Sequence, residues 1–282
     1  MDYRTVYQTG IEQLERAGIA EAKLDARLLL EYACDTDHST LFAHPDREVS
    51  DKELEAYREL LARREQREPV AYILGNWDFM GLTFRVNSDV LIPEQDSELL
   101  VEEAMRFCED GMKVLDLCTG SGCIGLSLLR FTNYTNLVAT DISAKALDVA
   151  RSNAESLGLS DRATFIETDL FPEIPDKDKR YDLILSNPPY IASSVIEGLA
   201  PEVRDYEPRL ALDGDEDGLA FYRRIVQNAG DYLYSSGYLI MEIGYDQAEA
   251  VTGLMEADGR YHDIEVIKDY GGNDRVIRAC FY

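Results

Sequence analysis

A strand that runs directly into a glycine turn and then a helix limits what this chain can fold into more than any other stretch. Lys113-Val114-Leu115-Asp116-Leu117 carries an apolar run of strand length, and Cys118-Thr119-Gly120-Ser121-Gly122-Cys123-Ile124-Gly125 follows without a spacer. Glycines in that turn permit unusual backbone angles and let a ligand approach the main chain before a helix begins near Ile124. The helix start offers unpaired amides to a negatively charged group. Strand, tight turn and helix together are the opening unit of an α/β sheet.

Two further strand ends extend the pattern. Leu137-Val138-Ala139-Thr140 ends at Asp141, about 20 positions beyond the glycine turn, where a carboxylate can receive both hydroxyl hydrogens of a ribose. Thr164-Phe165-Ile166-Glu167-Thr168 ends before Asp169-Leu170-Phe171. Asp169 is placed to accept from an adenine amino group, with Leu170 in the apolar wall beside it. A helix cap is the competing role for each aspartate. The glycine turn alone is equally compatible with nicotinamide or flavin chemistry.

The stretch that separates these chemistries is Asn187-Pro188-Pro189-Tyr190, which follows the apolar run Tyr181-Asp182-Leu183-Ile184-Leu185-Ser186 and therefore stands at a strand's carboxyl end. Two prolines in succession restrict φ and remove two backbone donors, leaving a carbonyl that no regular ladder uses. That carbonyl and the Asn187 side-chain oxygen can accept both hydrogens of a planar –NH2 group, with Tyr190 covering one face. A plain turn closing the strand is the alternative. Neither redox cofactor needs such a clamp, so the combination favours methyl transfer to an amino or amide nitrogen.

Around this centre the chain divides into three parts. Residues 1–75 alternate amphipathic helical patterns with short breaks and predict a small N-terminal helical bundle. Positioning a macromolecular substrate and covering the catalytic domain are the two roles open to it, and helicity alone does not choose between them. Apolar positions Val6, Ile11 and Leu14 mark one helix, and Leu24, Leu28, Leu29 and Leu30 a second. Ser50 with Glu53 has capping-box spacing for a third. Residues 76–92, aromatic-rich and broken by glycine, predict a hairpin linker, with a lid over a ligand and packing at the domain junction as equal alternatives for Phe79 and Ile92-Pro93. Residues 93–282 predict a mostly parallel sheet with helices on both faces and an antiparallel edge formed by residues 261–267 and 275–279. Residues 191–217 make a long connection suited to a substrate-facing wall.

Composition narrows the function classes. The formal charge of −26, from 54 acidic against 28 basic residues, argues against a broad nucleic-acid surface. The five cysteines lack paired CxxC spacing and the three histidines have no metal-spaced partner, so reduced cysteines, no metal site and a cytoplasmic setting are expected. No leader is visible at Met1-Asp2-Tyr3-Arg4, and no apolar run approaches the roughly 20 residues needed to span a bilayer.

Taken together, these residues resemble the class I S-adenosylmethionine-dependent methyltransferases, and within them the family that methylates the glutamine of bacterial peptide chain release factors. The resemblance covers almost the whole chain and implies that the sheet of residues 93–282 is Rossmann-like and seven-stranded. It rests on Phe79, Val90-Leu91-Ile92-Pro93, Asp116 through Gly122, Asp141, the Asn187 tetrad, Glu207-Pro208-Arg209 with Ala211-Leu212, Glu242-Ile243-Gly244, and the closing segment from Gly271 to Arg275. Glu94-Gln95 stands where many relatives have arginine and proline, and Leu212-Asp213-Gly214-Asp215 departs from a frequent pair of glycines.

The resemblance implies S-adenosylmethionine as methyl donor and the glutamine amide of a Gly-Gly-Gln motif as acceptor. It implies cofactor contacts from Phe79, Asp116, Thr119, Gly120, Gly122, Asp141, Asp169, Leu170 and Asn187. Asn187, Pro188 and Tyr190 are the implied catalytic residues, and Pro189 and Arg209 join them in binding substrate. Release factors are the expected partners of a monomer, with no direct nucleic-acid requirement. An exocyclic amine of DNA or RNA is the competing acceptor, and a noncatalytic translation-factor-binding protein the competing class.

Overall fold

The computed structural model describes residues 1–133, 135–173 and 180–282. Two compact units emerge, one of Met1–Asn76 with Ala200–Tyr206, the other of Trp77–Leu199 with Glu207–Tyr282.

The first unit is helical, with helices at Tyr3–Arg16, Ala22–Ala33, His38–Ala43, Asp51–Glu65 and Val70–Leu74. Val6, Ile11 and Leu14 are buried, as the period of the first helix predicts. In the second helix the buried face runs through Ala22, Asp25, Ala26, Leu29 and Leu30, which leaves Leu24 exposed where the sequence pattern had it apolar-facing. Asp25 holds a core position because the Arg64 guanidinium meets it at 2.7 Å. Arg64 also meets Glu202 at 3.0 Å, and Arg67 meets the same carboxylate at 3.1 Å, which seats the short helix Pro201–Tyr206 in this unit. The Ser50–Glu53 capping box forms with both of its hydrogen bonds.

The second unit begins with a two-stranded ribbon, β1 (Asn76–Phe79) and β2 (Leu82–Arg85). Its sheet contains β3 (Lys113–Leu117), β4 (Asn136–Asp141), β5 (Ala163–Glu167), β6 (Tyr181–Ser186), β7 (Leu233–Glu242), β8 (Tyr261–Lys268) and β9 (Asp274–Phe281). The order is β5-β4-β3-β6-β7-β9-β8. Strands β5 through β7 are parallel, and β9 runs antiparallel to both of its neighbours, β7 and β8. The last strand in sequence thus inserts inside the edge.

Period-two alternation divides the strands between two cores. Leu183 and Leu185 face a cluster with Leu100, Val101, Leu126 and Leu129 from the helices Glu98–Phe107 and Cys123–Phe131. Ile184, Leu239 and Met241 face a second cluster with Tyr222, Ile225, Val251 and Met255 from the helices Ala220–Ala229 and Ala248–Asp258. Both faces of the sheet are therefore covered, as parallel strands require. From β3 the chain steps outward through β4 to β5, then returns to β6 on β3's other side. That reversal opens a crevice at the strands' carboxyl ends, where such sheets take ligands. No helix among the described residues is long and apolar enough to cross a membrane.

Candidate active site

The carboxyl ends of β3, β4, β5 and β6 converge on one cavity of about 320 Å³. That lies within the range of small-ligand sites. Cys118, Thr119, Gly120, Asp141, Asp169, Leu170, Asn187 and Pro189 all line it.

Gly120 holds a left-handed φ of 55°, and a Cβ placed on it meets no protein atom within 4 Å. Gly120 borders the cavity, and the space beside it is open. Gly122 serves packing instead: its φ is 81°, it lies off the cavity, and a Cβ would reach within 2.9 Å of Leu126. Cys118 and Leu170 also have left-handed φ values, 58° and 68°. Backbone strain of this kind in non-glycine residues gathers at functional sites, and both residues border the cavity.

Asp116 is fully buried behind the turn and does not line the cavity. Its Oδ2 accepts the Thr119 hydroxyl at 2.5 Å and the Gly125 amide at 3.2 Å, while Oδ1 has no partner among the described residues. Burial pushes its carboxyl up to about 7. Of the two roles open to Asp116, ligand contact and organisation of the turn, these bonds favour the second. Asp141 does border the cavity. Its two oxygens accept the Gly120 and Ser143 amides, each at 2.9 Å. Burial raises its pKa, against those backbone bonds. Ser143, not Asp141, caps the following helix Ala144–Ser156. Asp169 pairs with Arg224 at 2.8 Å, and both line the cavity. Leu170 is buried in the wall, its carbonyl accepting from Thr140 Oγ1 at 2.7 Å.

In the tetrad, Asn187 and Pro189 line the cavity, whereas Pro188 and Tyr190 do not. Asn187 Nδ2 donates to Ser97 Oγ at 3.1 Å, and Ser97 Oγ donates to Glu242 Oε2 at 2.5 Å. Among the described residues no donor is bonded to Asn187 Oδ1 or to the Pro188 carbonyl. Tyr190 packs on the second core cluster and its hydroxyl donates to Glu242 Oε1 at 3.2 Å. The half-buried phenol needs an acceptor for its hydroxyl, and Glu242 supplies it.

Two further residues of the sequence reading stand off the cavity wall. Phe79 is 1% exposed, stacked edge-on against Phe84 in the first core cluster, and takes no part in the cavity wall. Its apolar ring is held by core burial, and Val90, Leu91 and Pro93 form the wall from that part of the chain. Arg209 turns outward, pairing with Asp213 at 3.1 Å and Glu197 at 3.5 Å, while Pro208, Leu210 and Ala211 border the cavity.

Ser97, Arg224, Phe221 and Glu242 had no assigned role in the sequence reading. Glu242 is 1% exposed, and its carboxyl is pushed up to about 7, by burial foremost and by Glu94, against Ser97, Arg275 and Tyr190. Its signals were the Glu242-Ile243-Gly244 motif and its place at the end of β7, beside β6, as Asp141 ends β4. Glu207 accepts the Ile92 amide at 3.4 Å and is likewise pushed up to about 7 by burial.

An open α/β sheet that brings a glycine turn, a ribose-type carboxylate and an Asn-Pro-Pro-Tyr strand end to one cavity defines a Rossmann-like methyltransferase dependent on S-adenosylmethionine. Residues 5–75 match the family model described as the PrmC N-terminal domain, and residues 93–200 match the methyltransferase small domain. A release factor glutamine methyltransferase of Geobacter sulfurreducens is 44% identical across 94% of this chain and 91% of its own length. Another, from Cereibacter sphaeroides, is 42% identical across 96% of each. The crystal structure of a methyltransferase from Pyrococcus furiosus, 19% identical, covers 78% of this chain and 96% of that one with a TM-score of 0.52, a likeness of fold. The chain belongs to the release factor glutamine methyltransferase family.

The cavity fits the methyl donor on this structure's own terms. Gly120 leaves open space at its border, Asp141 presents a carboxylate held by two backbone amides, and Leu170 gives an apolar wall.

Proposed function

We propose that this chain transfers the methyl group of S-adenosylmethionine to the side-chain amide nitrogen of the glutamine in the Gly-Gly-Gln motif of bacterial peptide chain release factors. The observation that carries this reading is the likeness, over nearly the whole chain, to release factor glutamine methyltransferases. The orientation of Asn187 agrees with it: its amino end faces Ser97, which leaves its oxygen for an acceptor's N–H.

Each residue then has a task. Asp141 takes the ribose hydroxyls, Asp169 and Leu170 flank the adenine, and the turn at Thr119 and Gly120 leaves room for the amino-acid end. The bound donor supplies an electrophilic methyl on sulfonium. An amide nitrogen is a poor nucleophile because its lone pair is delocalised into the carbonyl. Asn187 Oδ1 and the Pro188 carbonyl accept its two N–H groups and stabilise the positive character that develops on nitrogen as the N–CH3 bond forms and the S–CH3 bond breaks. One of the two N–H protons is then released to solvent, leaving the neutral N-methyl amide. Pro189 shapes the backbone that presents them. Fixed orientation and exclusion of water contribute more here than a general base.

Residues 1–75 serve in this reading as the substrate-positioning domain, 76–92 as a hairpin linker and 93–282 as the catalytic domain. The enzyme works in the cytoplasm as a monomer and needs neither nucleic acid nor metal. An exocyclic amine of DNA or RNA fits the same clamp, but a net charge of −26 opposes the phosphate contacts it demands. The deciding experiment incubates the protein with labelled methyl donor and intact release factor, then maps the modified residue by mass. Label on the Gly-Gly-Gln glutamine supports the proposal. Label on an oligonucleotide and none on the release factor overturns it.

A further inference from the structure

A carboxamide has two ends of nearly equal size and opposite hydrogen-bonding sense. With its amino end forward, Asn187 would set N–H groups against the N–H groups of the acceptor. Nothing in the shape of a carboxamide prevents this, so a neighbouring group has to decide.

Resting on the reading above, we propose that Glu242 and Ser97 are positioning residues that fix which end of the Asn187 carboxamide faces the acceptor. Ser97 is a hydroxyl with one hydrogen to give. That hydrogen goes to Glu242 Oε2 at 2.5 Å, so Ser97 Oγ meets Asn187 as an acceptor, at 3.1 Å from Nδ2. Glu242 is held to the accepting role on its other oxygen by the Tyr190 hydroxyl at 3.2 Å. An ionised carboxylate only accepts, so the chain of bonds has one direction. Tyr190 and Ser97 donate to Glu242, Asn187 donates to Ser97, and Asn187 Oδ1 remains for the substrate.

Protonation reverses that logic. A carboxylic acid at Glu242 has a hydrogen of its own; once given to Ser97 Oγ, it frees the Ser97 hydrogen to turn toward Asn187, which then favours its oxygen on the Ser97 side. The groups facing Glu242 are Glu94, Arg275, Tyr190, Cys123 and Tyr222, whose hydroxyl donates to the Glu242 backbone carbonyl at 2.9 Å. Their balance with burial brings the Glu242 carboxyl to about 7. The correct end of Asn187 therefore faces the acceptor above that pH and the wrong end below it.

The test uses the full-length chain with two readouts. In protein labelled with 15N at asparagine, the Asn187 side-chain NH2 signal, identified by its loss in Asn187→Asp, shifts as pH passes through about 7. It does not shift in Glu242→Gln. In Tyr190→Phe, which removes one donor to the carboxylate without opening a large space, the midpoint moves to higher pH. Methyl transfer to release factor follows the same course: kcat in Glu242→Gln and Ser97→Ala falls about tenfold or more at pH 8, with KM for the donor within about twofold. The acid limb of the kcat profile near pH 7 is absent in Glu242→Gln, and Ser97→Thr recovers a large part of what Ser97→Ala loses.

An Asn187 signal that titrates alike in wild type and Glu242→Gln overturns the assignment, as does an unmoved midpoint in Tyr190→Phe should Glu242→Gln not fold. So do Ser97→Ala and Glu242→Gln with kcat near the wild-type value. The signal involves no methyl transfer. A wild-type protein that does not methylate release factor thus counts against the proposed function, while the titration still decides the roles of Glu242 and Ser97.

Discussion

The Asp141 carboxylate accepts the Gly120 amide at 2.9 Å, tying the end of β4 to the glycine turn that follows β3. Its other oxygen takes the Ser143 amide at the same distance, so the group is locked before any ligand arrives. Each oxygen keeps a lone pair for a ribose hydroxyl. Asp141→Ala is expected to weaken donor binding about 10- to 100-fold, the scale of one lost hydrogen bond to a charged group. Calorimetric titration with the donor measures this, and unchanged affinity would reduce Asp141 to an organiser of the turn.

Asn187→Ala removes one fixed acceptor from the place where positive character develops. Loss of one such preorganised group costs roughly 10²- to 10³-fold in kcat, and a fall of that size is expected here. Donor affinity should stay within about threefold, because Asp141 and the turn remain intact. Single-turnover rates separate the two effects. A rate close to wild type would remove the clamp from the mechanism.

Local patterns carried much of this to the reader of the sequence. The apolar runs of β3, β4 and β6, the Ser50–Glu53 cap and the tetrad each declare themselves within a few residues. Pairings between distant residues did not. Ser97 and Glu242 are 145 positions apart, and no periodicity links a serine in a short 3-10 turn with the last residue of a strand. Arg209 turned outward and Asp116 inward for the same reason, since the side of the wall a residue takes depends on partners chosen by the fold. Asp25 occupies an apolar face only because Arg64, 39 positions away, is there to meet it.

That buried pair gives a stability test. Arg64 and Asp25 side chains are 7% and 4% exposed, and Glu202 shares the guanidinium. Removing one partner of a buried pair leaves a desolvated charge, which costs about 3–5 kcal/mol. Arg64→Ala should therefore lower the stability of the helical unit by that order, read as an earlier urea midpoint for its transition. A loss under about 1 kcal/mol would place the pair with ordinary surface ion pairs.

Asp116 sets a pH dependence of the opposite sign from the usual salt-bridged carboxylate. Burial lifts its pKa from 3.8 to about 7 in the folded protein, so between those values the folded state holds a proton that the unfolded state has released. Its contribution to stability is complete below pH 3.8 and is lost as pH rises toward 7. Asp116→Asn keeps an oxygen for Thr119 and Gly125 and puts an uncharged NH2 where Oδ1 lacks a partner. This variant should lose less stability than wild type between pH 5 and 8 by urea unfolding. Glu207 and Glu242, also lifted to about 7, preserve part of the slope, so it is reduced and not abolished. Parallel stability profiles for the two proteins would mean that Asp116 stays ionised when buried, which its partnerless Oδ1 argues against.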